Sequence, residues 1–200
     1  MRCFVAIEFD DATRSVLGGL QEYLREKGIR GNFTRLSNLH LTLKFLGEVD
    51  PSLLPKLEPV LRKVASNHMP FVLELGEMGK FSKGTRPIIW CGIKVSKSLL
   101  DLQKDLVEEL AANFREFSGH ERFTPHITLV REAAMDVFPS IVQSHADGDV
   151  LEGNPMDDLL KHAHIPGHRI AVGGISLMES TRRDGRLVYL QKSFHPLVGT

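Results

Sequence analysis

A four-residue pattern of histidine, an aliphatic residue, threonine and leucine occurs twice in this chain. The first copy lies in "NLHLTLKFLG" (38–47) and the second in "TPHITLVR" (124–131). Both stretches are rich in the aliphatic and β-branched residues that favour strands. The fold must therefore accommodate two similar strands, each with a histidine, and the central question is whether these histidines meet.

Strand alternation sorts the side chains of each copy into two faces. His40 and Thr42 share one face of the first strand. His126 and Thr128 share the corresponding face of the second. The opposite faces are expected to pack into the core, and they carry Leu41, Leu43 and Phe45 in the first strand and Ile127 and Leu129 in the second. Each strand is thus predicted to present one imidazole beside one hydroxyl on a rigid element, which suits the positioning of a small anionic group.

The repetition is what makes the pattern informative. The chain has nine histidines and eight threonines, so about 0.4 H-x-T tripeptides are expected by chance. A single copy is most simply explained as a hydrogen-bonded histidine on a solvated strand. Two copies with the same second and fourth residue types favour a functional pair.

Two imidazoles suit the cleavage of a phosphodiester. One group must take a proton from the attacking oxygen, and another must protonate the leaving oxygen. Because the unperturbed pKa of histidine is near 6.5, one ring can be neutral and the other protonated around neutral pH. Hydroxyls from Thr42 and Thr128 can donate to the non-bridging oxygens, where negative charge develops. This scheme needs no metal and no cofactor, and no set of metal ligands accompanies the two motifs.

The remaining sequence predicts an α+β fold of alternating strands and helices. Helix signals begin at Asp10 or Asp11 and end at Gly28. Further helices are predicted over about 51–67 and 98–117. Besides the two motif strands, strands are predicted over 2–9, 70–78, 86–95, 170–180 and 186–194. Because strand and helix alternate around each motif, we expect two similar lobes of mostly antiparallel sheet with outer helices and a cleft between them.

We expect one domain over residues 1–200, built from two intertwined lobes. The segment 132–168 is polar and punctuated by glycine and proline, and we interpret it as a helix-containing insertion with flexible parts. His162, His164 and His168 lie in this segment, but their spacing without cysteines favours a solvated loop over a metal site.

Composition limits the partners. Twenty-five basic and 25 acidic residues cancel, so a nucleic acid would be held locally, at a few phosphates, and not by a long-range field. Cys3 and Cys91 lie in apolar strand contexts and are expected to be reduced thiols. No signal peptide is recognisable and no apolar run approaches the length of a membrane span. We therefore expect a cytoplasmic monomer with no membrane partner.

The chain resembles the 2H phosphoesterase superfamily, which is named for two H-x-T-x motifs. Within it, the chain is most similar to the RNA 2′,3′-cyclic phosphodiesterases, historically described as 2′-5′ RNA ligases. The resemblance covers nearly the whole chain except 132–168, and the stretches that carry it are "RCFVAIEF", "NLHLTLKFLG", "PIIWCGI", "FTPHITLVR", "ISLMES" and "LVYLQKSF".

The resemblance implies a bilobal sheet fold in which each lobe gives one motif to a shared cleft. It also implies hydrolysis of an RNA 2′,3′-cyclic phosphate terminus to a 2′-phosphate. His40 would then be the proton donor and His126 the proton acceptor, while Thr42 and Thr128 would bind the phosphate. RNA 3′ ends or small cyclic-phosphate nucleotides are the expected partners. The alternatives are a 2′-5′ RNA ligase or 2′-5′ oligonucleotide phosphodiesterase, and a non-catalytic module that binds nucleotides or RNA ends.

Three further positions are candidates for substrate contacts. Arg131 matches a family position associated with the phosphate. Strand parity places it opposite His126, so this role requires the strand to end or to bulge by Val130. Phe45 and Tyr189 are candidates for stacking on the terminal base.

Overall fold

The computed structural model describes residues 1–82, 86–119, 122–135 and 154–199. Within these ranges the strands form two sheets in which every neighbouring pair is antiparallel. The four-stranded sheet has the order β3-β1-β8-β9 and contains β1 (Arg2–Glu8), β3 (His40–Glu48), β8 (Gly174–Arg183) and β9 (Arg186–Pro196). The five-stranded sheet has the order β2-β6-β5-β4-β7 and contains β2 (Ile29–Phe33), β4 (Phe71–Phe81), β5 (Ile88–Ile93), β6 (His126–Met135) and β7 (Arg169–Val172). One motif strand thus belongs to each sheet.

Helices cover the sheets in a crossed arrangement. The described helices are α1 (Asp11–Glu26), α2 (Leu54–Ser66), α3 (Lys97–Asn113) and α4 (Pro155–Lys161). Helix α1 follows β1 of the four-stranded sheet but packs on β2 and β6 of the other. Helix α3 follows β5 of the five-stranded sheet but packs on β3. Each sheet is therefore covered in part by a helix that follows a strand of the other sheet in the chain.

The first helix shows why the sequence folds as it does. Asp10 caps it by accepting a hydrogen bond from the Thr13 N–H, which satisfies one of the unpaired donors at a helix start. Leu17, Leu20 and Leu24 are buried on one stripe, and each contributes about 1.5–3 kcal/mol by leaving water. Gly28 follows with φ 81°, a left-handed conformation that glycine adopts without strain.

The C-terminal strand prediction was wrong in one respect. Residues 170–180 form not one strand but the end of β7 and most of β8, which belong to different sheets. The chain passes between the sheets at Gly173, and Gly174 begins β8. A Cβ at Gly174 would lie 2.3 Å from the Phe194 ring, so the crossing depends on a close approach that only glycine permits.

The sequence predictions also missed one strand and placed the end of one helix too late. Strand β2 was not predicted, because "IRGNF" has little apolar alternation and an internal glycine, Gly31, with φ 147°. Helix α3 ends at Asn113, four residues before the predicted end, and a 3₁₀ turn follows at Arg115–Phe117. Phe114, which lies within the predicted range, is buried against Phe117.

The segment 132–168 lies partly outside the described residues. Its first residues extend β6 to Met135, and its described C-terminal part contains α4, capped by Asn154. Residues 136–153 are not among those described. Cys3 and Cys91 are buried free thiols, which confirms that they are unpaired. No helix in the described ranges combines the length and apolarity needed to cross a membrane.

Candidate active site

The two motif histidines line the same cavity. This cavity, which we call the motif cavity, has a volume of about 240 Å³ and lies between β3 and β6. Its walls include both members of each motif pair and three of the other sequence-predicted positions: His40, Thr42, His126, Thr128, Phe45, Arg131 and Tyr189. Phe81 and Asn38 complete much of the remaining wall. The structure thus brings together all seven residues that the sequence singled out.

Each imidazole is held by its own strand in the same way. His40 Nδ1 lies 2.7 Å from the carbonyl oxygen of Asn38, and His126 Nδ1 lies 2.7 Å from that of Thr124. A carbonyl oxygen only accepts, so each Nδ1 carries the hydrogen and donates it. The Nε2 atom of each ring is therefore left for chemistry. His40 Nε2 contacts Thr42 Oγ1 at 2.9 Å.

Aromatic rings wall both imidazoles. The His40 ring centroid lies 4.8 Å from that of Phe4 and 5.0 Å from that of Tyr189, with an edge-on geometry to the tyrosine. The His126 centroid lies 4.8 Å from that of Phe81, also edge-on, and 6.3 Å from that of Trp90. These rings pack against the imidazoles and shield part of each from solvent.

Burial beside these rings lowers both histidine pKa values. Burial lowers the pKa of His40 to about 4, against the opposing effect of the bond to Asn38. Burial likewise lowers the pKa of His126, against the bond to Thr124. The guanidinium of Arg131 lowers both values further because it repels a second positive charge. The lowered pKa values favour the neutral form of both rings at pH 7.

A β-bulge follows the threonine in each motif strand. In β3, Thr42 pairs with Ala6 and Lys44 pairs with Val5, so Leu43 is an extra residue. In β6, Thr128 pairs with Trp90 and Val130 pairs with Ile89, so Leu129 is the extra residue. Two consecutive side chains are buried at each bulge. The strands thus change parity at the same motif position.

Because of the bulges, the residue five positions after each histidine lies on the same face as that histidine. These residues are Phe45 in β3 and Arg131 in β6. Phe45 was assigned by strand parity to the core face, and that assignment is wrong. It is 50% exposed and lines the motif cavity. Arg131 also lines this cavity, so the bulge that its predicted role required is present, with Val130 turned into the core.

Sequence reasoning missed one charged neighbour of His40. Glu8 is opposite His40 in the pairing of β1 with β3, and its carboxylate raises the pKa of His40, though less than burial lowers it. Glu8 Oε2 accepts hydrogen bonds from Ser176 Oγ and Gln191 Nε2, both at 2.5 Å. The available signal was a carboxylate directly after the buried run of the first strand.

The three histidines near the C-terminal part of 132–168 lie elsewhere. His162 contacts the Asp158 carbonyl oxygen on α4, and His168 Nε2 lies 2.9 Å from Thr13 Oγ1. Neither these two nor His164 line the motif cavity. Across the described part of the chain, no three His, Cys, Asp or Glu side chains are grouped so that they could hold a metal ion.

The site is a two-histidine cavity, to which each of two antiparallel sheets contributes one histidine and one threonine. The model of the 2′-5′ RNA ligase superfamily matches residues 12–182. The chain belongs to this superfamily, which confirms the resemblance noted from the motifs.

Relatives of known name align with about two thirds of this chain and are about 30% identical to it over that length. An RNA 2′,3′-cyclic phosphodiesterase of Thermotoga maritima is 30% identical over 132 residues, which span 66% of this chain and 70% of the relative. A Methanocaldococcus jannaschii protein of the same name is 31% identical over 137 residues, spanning 68% and 74%.

Solved structures extend the likeness over the full fold. TT0787 of Thermus thermophilus has a TM-score of 0.73 at 24% identity, covering 100% of this chain and 99% of that one. Escherichia coli LigT complexed with 3′-AMP has a TM-score of 0.70 at 24% identity, covering 98% and 97%. At this identity the structures establish the shared fold.

Proposed function

We propose that the protein hydrolyses the 2′,3′-cyclic phosphate at RNA 3′ ends, leaving a 2′-phosphate and a 3′-hydroxyl. The observation that carries the proposal is the convergence of two imidazoles, two threonines and one arginine on a single cavity. Two relatives carry the name of this activity, and a solved structure of the same fold holds 3′-AMP. A two-histidine site accounts for such chemistry without further groups.

The proposed reaction begins with a water molecule held by His126. As the water oxygen attacks phosphorus, His126 Nε2 takes its proton. The bond between phosphorus and the 3′ oxygen breaks, and His40 Nε2–H gives its proton to that oxygen. The two rings end with exchanged protonation states, and a proton exchange with solvent resets them. The backbone carbonyls on both Nδ1 atoms hold each ring so that Nε2 performs the transfer.

The assignment of His40 as the acid needs a compensating charge. Burial lowers its pKa to about 4, which opposes protonation at neutral pH. A bound phosphodiester is an anion, and it raises the pKa of both rings and offsets the repulsion from Arg131. Glu8 acts in the same direction on His40. Substrate binding thus prepares the acid that the step consumes.

The remaining groups fit the substrate's other parts. Thr42 and Thr128 hydroxyls and the Arg131 guanidinium would donate to the non-bridging oxygens, where charge grows in the transition state. Phe45 and Tyr189 would stack on the terminal base. We further propose a cytoplasmic monomer of one domain, since both halves of the site come from a single chain and both thiols are unpaired.

A product assay in chelator tests the proposal. An oligonucleotide ending in a 2′,3′-cyclic phosphate is incubated with enzyme and excess EDTA, and the product's phosphate position is assigned by ³¹P NMR. We expect complete conversion to the 2′-phosphate. A strict metal requirement or a 3′-phosphate product would contradict the scheme. Tight binding without turnover would favour a binding module, and a joined 2′-5′ product would favour a ligase.

A further inference from the structure

A larger cavity opens from the motif cavity over the face of the four-stranded sheet. This sheet cavity has a volume of about 680 Å³ and shares four residues with the motif cavity: His40, Phe45, Arg131 and Tyr189. It continues to Arg2, Ser180 and Arg182. Pockets for drug-sized molecules occupy about 300–1,000 Å³. The motif cavity alone is smaller than that range, whereas the sheet cavity adds room for a further unit of substrate.

Strand register places two arginines in order beyond the His40 ring. Arg2 lies two residues before Phe4 on β1, and the two Cα atoms are therefore about 7 Å apart. Arg2 pairs with Ser180, and Ser180 pairs with Tyr189, so these side chains form one row across the sheet. Arg182 lies one further step along β8. Arg2 and Arg182 thus lie next to Phe4 and Tyr189, the two aromatic rings that contact His40.

The cavity also contains two carboxylates, and each has a cationic partner outside the arginine pair. Glu179 contacts Lys192 Nζ at 3.3 Å, and Glu48 contacts the amino group of Met1 at 3.5 Å. Arg182 uses one Nη1 hydrogen on the Gly185 carbonyl oxygen, and a guanidinium has five donors. Both arginines are exposed and can receive an anion.

We propose that the sheet cavity is a subsite for the penultimate nucleotide, the one joined to the 5′ oxygen of the terminal nucleoside, a proposal that rests on the proposed function. In an RNA 3′ end, the terminal nucleoside is joined to its neighbour through a phosphodiester at its 5′ oxygen. With the cyclic phosphate between the histidines and the base against Tyr189, that phosphodiester lies toward Arg2 and Arg182. The enzyme therefore selects oligonucleotides over mononucleotides.

The test compares two substrates that share the same reacting group. These are a nucleoside 2′,3′-cyclic monophosphate and a dinucleotide that ends in the same cyclic phosphate. We expect kcat/KM of the wild-type protein to favour the dinucleotide by about tenfold or more, as one charge-assisted phosphate contact supplies. In the double variant Arg2→Met, Arg182→Met the ratio should fall close to one.

Arg183→Met is the matched control. Arg183 neighbours Arg182 in sequence but does not line the sheet cavity, so its loss should leave the substrate ratio intact. An equal kcat/KM for both substrates in the wild-type protein, or a preference that survives the double substitution, would overturn the subsite. Failure to turn over either substrate would instead count against the proposed function.

A second inference rests on different contacts, at the two bulges. Gln21 of α1 is buried, and its Nε2 donates to the Leu129 carbonyl oxygen at 2.9 Å and to the Thr34 carbonyl oxygen at 2.7 Å. The Thr34 N–H donates to the same Leu129 oxygen. A buried amide that lacked such partners would destabilise the fold. One of its hydrogens goes to the extra residue of the β6 bulge, and the other goes to Thr34, which is itself bonded to that residue.

The β3 bulge has the same device. Gln103 of α3 donates from Nε2 to the Leu43 carbonyl oxygen at 3.3 Å. Leu43 and Leu129 are the fourth residues of the two motifs, and each is the extra residue of its bulge. A bulge determines on which face the following residues lie. Each glutamine therefore affects the residue two positions after the bulge leucine, which is Phe45 in β3 and Arg131 in β6.

We infer that Gln21 and Gln103 are positioning residues, which fix the bulges and thereby aim Arg131 and Phe45 into the motif cavity. Neither glutamine has to touch the substrate for this role. Each glutamine is therefore expected to affect activity through one particular cavity residue. Loss of Gln21 should act through Arg131, and loss of Gln103 should act through Phe45.

Double-mutant cycles measure that pairing. Gln21→Met preserves side-chain length and helix propensity but removes both donors. It should lower kcat/KM for the cyclic mononucleotide about tenfold in the wild-type background and less than about twofold in an Arg131→Met background, because the mispositioned group is already absent. Gln103→Met should show the same dependence on Phe45→Leu, and neither glutamine should couple to the other lobe's residue.

A structural control separates positioning from folding. Leu20→Ala removes a buried side chain from α1 without removing an amide, so it should lower Tm yet leave kcat/KM unchanged below the transition. Additive effects of Gln21→Met and Arg131→Met would overturn the inference. Should Gln21→Met not fold, the Gln103 cycle decides, since Gln103 is only half-buried and makes a single longer bond.

Discussion

The two motif strands, β3 and β6, are built alike up to their bulges and differ immediately after them. Each begins with a histidine whose Nδ1 donates to the carbonyl oxygen two residues before it. Each has its extra residue at the motif leucine. The next cavity-facing residue is Phe45 in β3 and Arg131 in β6. A duplicated frame thus presents an aromatic ring from one sheet and a cation from the other.

This difference divides the proposed substrate between the sheets. The four-stranded sheet supplies Phe45 and Tyr189, which suit a base, together with the arginines of the sheet cavity. The five-stranded sheet supplies Arg131, which suits the phosphate. The two histidines, in contrast, are surrounded in equivalent ways by two aromatic rings each. Symmetry is kept where proton transfer requires two similar groups, and it is lost where the substrate itself is asymmetric.

The largest expected effect tests whether the two halves are equally essential. His40→Ala and His126→Ala should each lower kcat by about 10²–10⁴-fold, since each removes one proton-transfer group. The double variant should be little worse than either single variant, because acid and base act as a unit. Steady-state kinetics on a cyclic mononucleotide checks this.

A histidine outside the cavity provides the comparison. His162→Ala changes an exposed residue at the C-terminal end of α4 and should alter kcat by less than about twofold. Retention of activity in either motif variant would show that one strand alone carries the chemistry, and the symmetric interpretation would fail.

The next effect separates the two residues that follow the bulges. Arg131→Met should lower kcat/KM about 10–100-fold, as expected for the loss of hydrogen bonds to a charged group, and should weaken inhibition by inorganic phosphate. Phe45→Ala should raise KM for a nucleotide by about 5–100-fold, as expected for lost base stacking, and leave phosphate inhibition unchanged. Loss of phosphate inhibition in Phe45→Ala would contradict the division of the substrate between the sheets.

Much of this site could be predicted from the sequence, because strand alternation and the repeated motif are local patterns. His40, Thr42, His126 and Thr128 followed from period-two alternation together with the repetition of the motif. The face of Phe45 did not, since one inserted residue reverses parity and a bulge leaves no local sequence signal. Glu8 was visible only as a carboxylate after a buried run, and neither its role nor that of Gln21 could be inferred. Their roles depend on strand pairing and helix packing between residues 32 and 108 positions apart.

The pH dependence should reveal the shared electrostatic influence of Arg131. The free-enzyme pKa values of both imidazoles are lowered, so the maximum of kcat/KM should lie on the acid side of the ordinary histidine pKa of about 6.5. Arg131 is a cause of lowering for both rings, and Arg131→Met should therefore move the maximum to higher pH. A profile measured with a cyclic mononucleotide checks the direction.

The sign is the decisive part of that measurement. A cation near an imidazole disfavours the imidazolium, so its removal can only raise the pKa by this route. A maximum that moves to lower pH in Arg131→Met, or only one limb that moves, would show that Arg131 does not influence both rings. The two strands would then be electrostatically independent, and only their backbones would be alike.

The smallest expected effect concerns the residue between the extra leucine and the cavity-facing side chain. This residue is Lys44 in β3 and Val130 in β6, and both are buried. Lys44 Nζ donates to the Gly119 carbonyl oxygen at 2.5 Å, which ties β3 to the segment leading into the second motif. Lys44→Met should remove this bond, lower stability by about 1 kcal/mol and lower Tm by about 2–4 °C.

Lys104→Met is the control, since Lys104 is an exposed α3 residue in a loose pair with Glu108 at 3.8 Å and should leave Tm nearly unchanged. If Lys44→Met were as stable as the wild-type protein, a buried methionine would stabilise β3 at this position as well as Val130 stabilises β6. The lysine would then be a tolerated substitution in the duplicated frame, and the connection between the two motif strands would depend on sheet and helix packing alone. A loss of stability, in contrast, would show that the two bulges differ in what they hold as well as in what they present.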